Sequence, residues 1–158
     1  MNTIQHAGWK LGLAAIALAA GTVSVVASAD ASPGPRRLHF IEHEVTSDMI
    51  DNGAPDFSAG DVFTIHSNML DDAHRSVGRA DIYGVVTEAL PDEQSFAGTG
   101  MLHLPGGSIS FASGGFEPEH ILAAITGGTG VYRGASGEIA VKETDGSPDA
   151  LITVILTN

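Results

Sequence analysis

The sequence predicts an all-β fold, an eight-stranded antiparallel β-barrel with a central apolar cavity, on three observations. Short runs rich in Val, Ile, Thr and Phe recur along the chain with Gly, Pro and Asp clusters between them. Beyond residue 30 no stretch sustains the 3.6-residue apolar period of a helix. The segment Ile125 to Gly137 packs five glycines into the eleven positions 127–137, with an apolar run on either side. Glycine tolerates positive φ and close backbone approach, so this segment reads as a tight corner between two strands.

Taken in order, the expected strands are Leu38 to Val45, Asp61 to Leu70, Ser76 to Thr87, Ser95 to Leu104, Ser108 to Ser113, His120 to Thr126, Gly137 to Glu143 and Leu151 to Thr157. Each is bounded by turn chemistry: the polar loop Asp48 to Gly60, the Asp71-Asp72-Ala73-His74 turn, Pro91-Asp92-Glu93, Pro105-Gly106-Gly107, Glu117-Pro118-Glu119 and Asp145-Gly146-Ser147-Pro148. Eight short strands at this spacing suit an antiparallel barrel or sandwich. The barrel is favoured by small residues repeated on one strand face. Gly78, Ala80, Ile82, Gly84 and Val86 share a face of the third strand, and Gly98, Gly100 and Leu102 alternate likewise in the fourth. Such a wall leaves room inside a barrel of eight strands, which is just wide enough for one small ligand.

The amino-terminal part reads as a targeting segment. Lys10 precedes an uncharged run from Leu11 to Val26, and Ala27-Ser28-Ala29 supplies small residues for cleavage. This is the order of a secretory signal peptide, and the run is short for a membrane span of roughly twenty residues. The expected organisation is a signal peptide at 1–29, a Ser/Pro/Gly tail at 30–36 and one barrel domain at 37–158. Removing 29 of the 158 residues leaves 129, one domain by length. Lys10 leaves with the leader and no acidic residue does, so six basic residues face 19 acidic ones, a formal charge of −13. That balance argues against nucleic acid and anionic membranes as partners. With no cysteine there are no disulfides, no thiolate chemistry and no thiolate metal site. The mature histidines at 39, 43, 66, 74, 103 and 120 show no HxH or HExxH spacing, so no metal is expected. The glycine segment lacks GxxxxGK[ST], and its GGTG does not open a helix as GxGxxG does, so a structural corner outweighs a nucleotide site.

Four pieces, in order, carry a family resemblance. Ala124 to Gly137 is similar to the AITGG-x-G-aromatic-x-GA-x-G string of allene oxide cyclases. Val77-Gly78-Arg79-Ala80-Asp81-Ile82-Tyr83 resembles the VGRA-x-G-x-Y string of dirigent proteins, with Ile82 in place of its second glycine. Phe40 to Val45 is similar to the dirigent first strand, and Gly60-Asp61 through Asn68-Met69-Leu70 to the cyclase second strand. Together they span residues 38–143 and mark the allene oxide cyclase and dirigent-protein superfamily. The resemblance implies an eight-stranded barrel with an apolar pocket, a homotrimer, no cofactor, and a hydrophobic small molecule as partner. The cyclase pocket cysteine aligns with Gly84 and the dirigent arginine of the corner with Ser136, so neither plant activity transfers intact.

The resemblance also nominates site residues. Glu44 stands where dirigent proteins place a pocket-facing aspartate, and Glu42 shares its strand face. A carboxylate there can act as a general base, and two neighbouring carboxylates raise one pKa. Alternation alone fits the opposite phase equally, with Ile41, His43 and Val45 inward. Asn68 matches a cyclase pocket asparagine, and His66 on its face titrates near neutrality. The alternative is an exposed polar face, but the other face, Phe63, Ile65, Ser67 and Met69, is apolar enough to pack a neighbouring subunit or another layer, which leaves the polar set for the pocket. The expected catalytic set is therefore Glu44, His66 and Asn68, with Glu42, Ala80, Ile82, Tyr83 and Gly84 binding substrate. Two functions stay open: a secreted, cofactor-free cyclase or isomerase acting on a hydrophobic oxygenated molecule, and a non-catalytic dirigent-like or ligand-binding barrel.

Overall fold

A computed structural model describes residues 35–54, 57–90, 93–116, 121–144, 147 and 149–157. The expected signal peptide and its cleavage site lie outside these residues. Eight strands close into one antiparallel barrel in sequence order: β1 (Arg36–Ile50), β2 (Val62–Leu70), β3 (Ser76–Leu90), β4 (Glu93–Leu104), β5 (Gly107–Phe116), β6 (Ile121–Gly128), β7 (Gly137–Glu143) and β8 (Asp149–Leu156). One 3₁₀ turn, Gly130–Tyr132, lies in the glycine segment. The ring closes where β1 pairs with β8, Leu38 opposite Val154 and Phe40 opposite Ile152.

β1 is longer than its sequence suggests. Residues Thr46 to Ile50 lie past the expected strand end at Val45, with a loop expected from Asp48, yet they continue pairing with β2 from His66 to Val62. A bulge between Glu44 and Thr46 makes this possible, because one extra residue re-phases the strand and increases its twist. Arg36, assigned by sequence to the tail, is already opposite Leu156.

Residues directly opposite on antiparallel strands share a face, so the register defines the barrel wall. Met69, Ile109 and Val154 are fully buried and fix which face is inside. The interior is packed at the end where β2 stops and β3 begins. Met69, Leu104, Ile109, Ile125, Ile139, Val154 and Leu156 fill it, each such side chain contributing roughly 1.5–3 kcal/mol of transfer free energy. Tyr132 and Ala135, from the glycine segment, complete this plug. The segment is a corner by construction. Thr129 and Val131 donate backbone N–H groups to Ser108 and Gly106 at 2.8 and 2.9 Å, and Ala135 donates to Tyr132. Gly137 has φ of 135°, and a Cβ there would collide with the Ile155 carbonyl.

The small residues of β3 and β4 do line the interior, but aromatic rings take part of the space they leave. The tip of Phe63 occupies the volume a Cβ on Gly84 would fill, and Phe111 does the same at Gly100. At the opposite end β1 is exposed from His43 to Ile50, while Phe63, Ile65, Ile82 and Phe96 are half-buried. This end is the mouth.

Candidate active site

Glu42 is opposite Met69 on β2 and Ala150 on β8, and Glu44 is opposite Ser67. Both glutamates therefore stand on the inner face of β1, where the packed half of the barrel gives way to the mouth. Ser67, only 3% exposed, donates its hydroxyl to Glu42 Oε1 at 2.7 Å. Glu44 turns towards the mouth and accepts from Ser47 Oγ at 2.7 Å. The bulge at Val45 produces that second contact, because it returns Ser47 to the inner face three residues after Glu44.

Burial raises the Glu42 pKa above the ordinary glutamate value. The Ser67 hydroxyl, which stabilises the charged form, offsets part of this, and the nearby charge of Glu44 adds to the rise. The arrangement is a carboxyl group held by one hydroxyl in an apolar wall, with a second carboxylate two residues along. Such a group can deliver a proton to a ligand oxygen and take one back.

The structure divides the expected site residues between two faces. Glu42, Glu44, Ala80, Ile82 and Gly84 are on the inner face, linked through the pairs Glu44–Ser67–Ala80 and Ile65–Ile82. His66, Asn68 and Tyr83 are on the outer face, contrary to expectation. The reason is the two-residue period: Glu44 is opposite Ser67, and His66 and Asn68 are its immediate neighbours. Tyr83 follows for the same reason, between Ile82 and Gly84, and is 53% exposed. The expected set of Glu44 with His66 and Asn68 in one pocket is thus not formed.

The outer face has its own polar cluster, centred on Asp81. His66 Nδ1 approaches Asp81 Oδ1 at 2.8 Å, and His103 Nε2 and Arg79 Nε approach Oδ2 at 3.0 and 3.4 Å. The hydrogen bond with His66, with the charges of Arg79, His103 and His66, lowers the Asp81 pKa. His66, Arg79 and Asp81 border an open groove of about 240 Å³ with Val45, Ser67, Asn68 and Ala80. A further outer pair joins His43 Nδ1 to Asp149 Oδ1 at 2.6 Å. Among the described residues no cluster of three or more His, Asp or Glu side chains could hold a metal ion.

Ser67 is the inner-face residue that sequence reasoning passed over. Its signal was present: one hydroxyl in the otherwise apolar series Phe63, Ile65, Met69. That series, expected to pack outwards, is the inner face, and His66 and Asn68 are on the outer one.

No family model and no curated protein matches this sequence. Solved structures do. A pyocyanin demethylase superposes with a TM-score of 0.70 at 25% identity, over 77% of this chain and 100% of that one. The fold is shared with cyclase-like and dirigent barrels. An exo-specific intermolecular Diels-Alderase aligns at 14% identity and TM-score 0.57, covering 77% of this chain and 97% of its own. A pterocarpan synthase dirigent protein aligns at 20% identity and TM-score 0.56, covering 77% and 82%. These neighbours share the barrel fold of this chain.

Proposed function

We propose that this protein is an exported, cofactor-free barrel enzyme of the cyclase or isomerase type, with Glu42 as the proton-transferring group. The observation that carries the reading is the Glu42–Ser67 contact: a carboxyl group in an apolar wall, its pKa raised, opening onto the mouth. A buried carboxyl group is costly, and such groups concentrate where chemistry uses them. The ligand is a hydrophobic molecule bearing an oxygen. The neutral Glu42 protonates that oxygen as the ligand rearranges, and Glu42 then recovers a proton from the product, so composition is unchanged. The apolar wall excludes water and holds the ligand in one shape. Burial raises the Glu42 pKa, and the charge of Glu44, which is hydrogen-bonded to Ser47, adds to the rise.

The pyocyanin demethylase, matched along its whole length, supports an enzyme acting on a small molecule. The dirigent neighbours support the second reading, a barrel that steers a ligand without turning it over. Export rests on residues 1–29, and the homotrimer and the allene oxide cyclase kinship on the sequence resemblance.

A panel of hydrophobic phenols, quinones and epoxides, incubated with the protein and followed by mass spectrometry and chromatography, tests the reading. A product of unchanged mass should form, at least a hundredfold more slowly with Glu42→Gln and within about threefold of wild type with His66→Ala. Full activity of Glu42→Gln, or loss of activity in His66→Ala alone, would overturn it.

A further inference from the structure

Phe63 lies two inner-face positions from Ser67 towards the mouth, with Ile65 between them. It crosses from β2 onto β3, and the three atoms nearest to a Cβ built on Gly84 are all carbons of its ring. Its other neighbour is Phe96, at a centroid distance of 6.2 Å and an interplanar angle of 76°, an edge-to-face pair. Phe111 makes the same kind of contact with Gly100, yet it is 8% exposed and belongs to the core. Phe63 is half-buried and outside that core. Its open surface therefore borders the mouth, on the path to Glu42.

We infer that Phe63, leaning on Gly84 and held edge-on by Phe96, is a specificity-determining residue that selects flat, conjugated ring systems over globular aliphatic molecules of the same size. The inference rests on the reading that ligands bind inside the barrel at Glu42 and names the class of ligand admitted. Gly84 supplies the recess into which the ring fits, and Phe96 limits its tilt. Once seated above Glu42, a ligand meets the ring surface that neither residue covers. A flat π-system gains an offset-stacked or edge-to-face contact there, which an aliphatic cage of equal apolar area does not.

The test compares 2-naphthol with 1-adamantanemethanol, two hydrophobic alcohols of similar size and opposite shape, by calorimetric titration of the full chain. Wild type should bind 2-naphthol about three- to tenfold more tightly, the range an aromatic pair supplies beyond burial. Phe63→Leu and Phe63→Met keep an apolar side chain without a ring, and both should bring the ratio near one while retaining sheet-rich circular dichroism. An unchanged ratio in both folded variants, or no preference in wild type, overturns the role of Phe63. Binding of neither probe to wild type overturns it together with the interior site. Turnover in Glu42→Gln reads the acid–base group and the probe ratio reads Phe63, so either can fail alone.

Discussion

The two ends of the barrel are built from the same residue types and do opposite things. At the closed end glycine lets the backbone fold onto itself: Gly137 stands against the Ile155 carbonyl and Gly130 against that of Gly106, and the gap is filled by Met69, Ile109 and Val154. At the mouth glycine opens the wall: Gly84 receives the Phe63 ring, and Gly115 has no neighbour within 4 Å of where its Cβ would stand. The closed end is an apolar plug tied by the backbone N–H groups of Thr129, Val131 and Ala135. The mouth keeps half-buried rings and two carboxyl groups. Packing is concentrated at one end and the inner-face carboxyl groups stand towards the other, so the proposed function falls on the less tightly packed part, where local stability is lower.

Glycine substitution should break this comparison most visibly. Gly137→Ala places a methyl group against backbone that cannot move, and should cost at least ~3 kcal/mol or abolish folding. Gly115→Ala also strains a positive φ, 139°, but meets no atom, and should cost only about 1 kcal/mol. Urea unfolding of both variants checks the contrast; equal losses would remove the distinction between the ends.

The loop at the mouth should show acid sensitivity. Asp61 is fully buried and accepts from the Asn52 and Ser58 backbone N–H groups at 3.0 and 2.7 Å and from Ser58 Oγ at 3.3 Å. The Asn52 N–H first, then that of Ser58, lowers its pKa below the ordinary 3.8. A lowered folded-state pKa gives stability that is present above 3.8 and lost as pH falls through the lower value. Unfolding followed from pH 6 to pH 2 should show that loss, and Asp61→Asn, less stable at pH 6, should flatten it.

Glu42 has the opposite sign. Its folded-state pKa is raised, so ionisation disfavours the folded form as pH rises from the ordinary 4.5 through the higher value. Glu42→Gln keeps an oxygen to accept from Ser67 and removes the charge. It should be about 1 kcal/mol more stable than wild type at pH 8 and indistinguishable at pH 4, by thermal unfolding. A loss of stability at pH 8 would show that Glu42 holds the fold and not the chemistry. His66→Ala, on the exposed outer cluster, should change stability by less than about 0.5 kcal/mol.

Much of the fold was legible in the sequence because its signals are local. Turn residues and period-two runs located all eight strands, and the glycines from 127 to 137 marked the corner. The end of β1 was not legible, since Ser47 and Asp48 look like loop and are kept in the sheet by a bulge. The site was half legible. Glu42 and Glu44 were singled out and are inside, but assigning His66 and Asn68 to the same side required the register between β1 and β2. Register is a non-local quantity: a shift of one residue in the pairing of Glu44 with Ser67 would have put His66 inside. Ser67 binds Glu42 and leaves Glu44 nearer to solvent, which is why the proposed function gives the proton transfer to Glu42 where the sequence pointed to Glu44.

The most direct test of chemistry at the inner wall is a carbon-13 carboxyl NMR titration of the full chain, with and without 2-naphthol. Glu42 should titrate above 4.5, and its resonance should move on addition of the ligand while that of Asp81 stays in place. A Glu42 carboxyl that titrates at or below 4.5 would contradict the account, and a ligand that shifts Asp81 and leaves Glu42 unmoved would place the site on the outer groove instead.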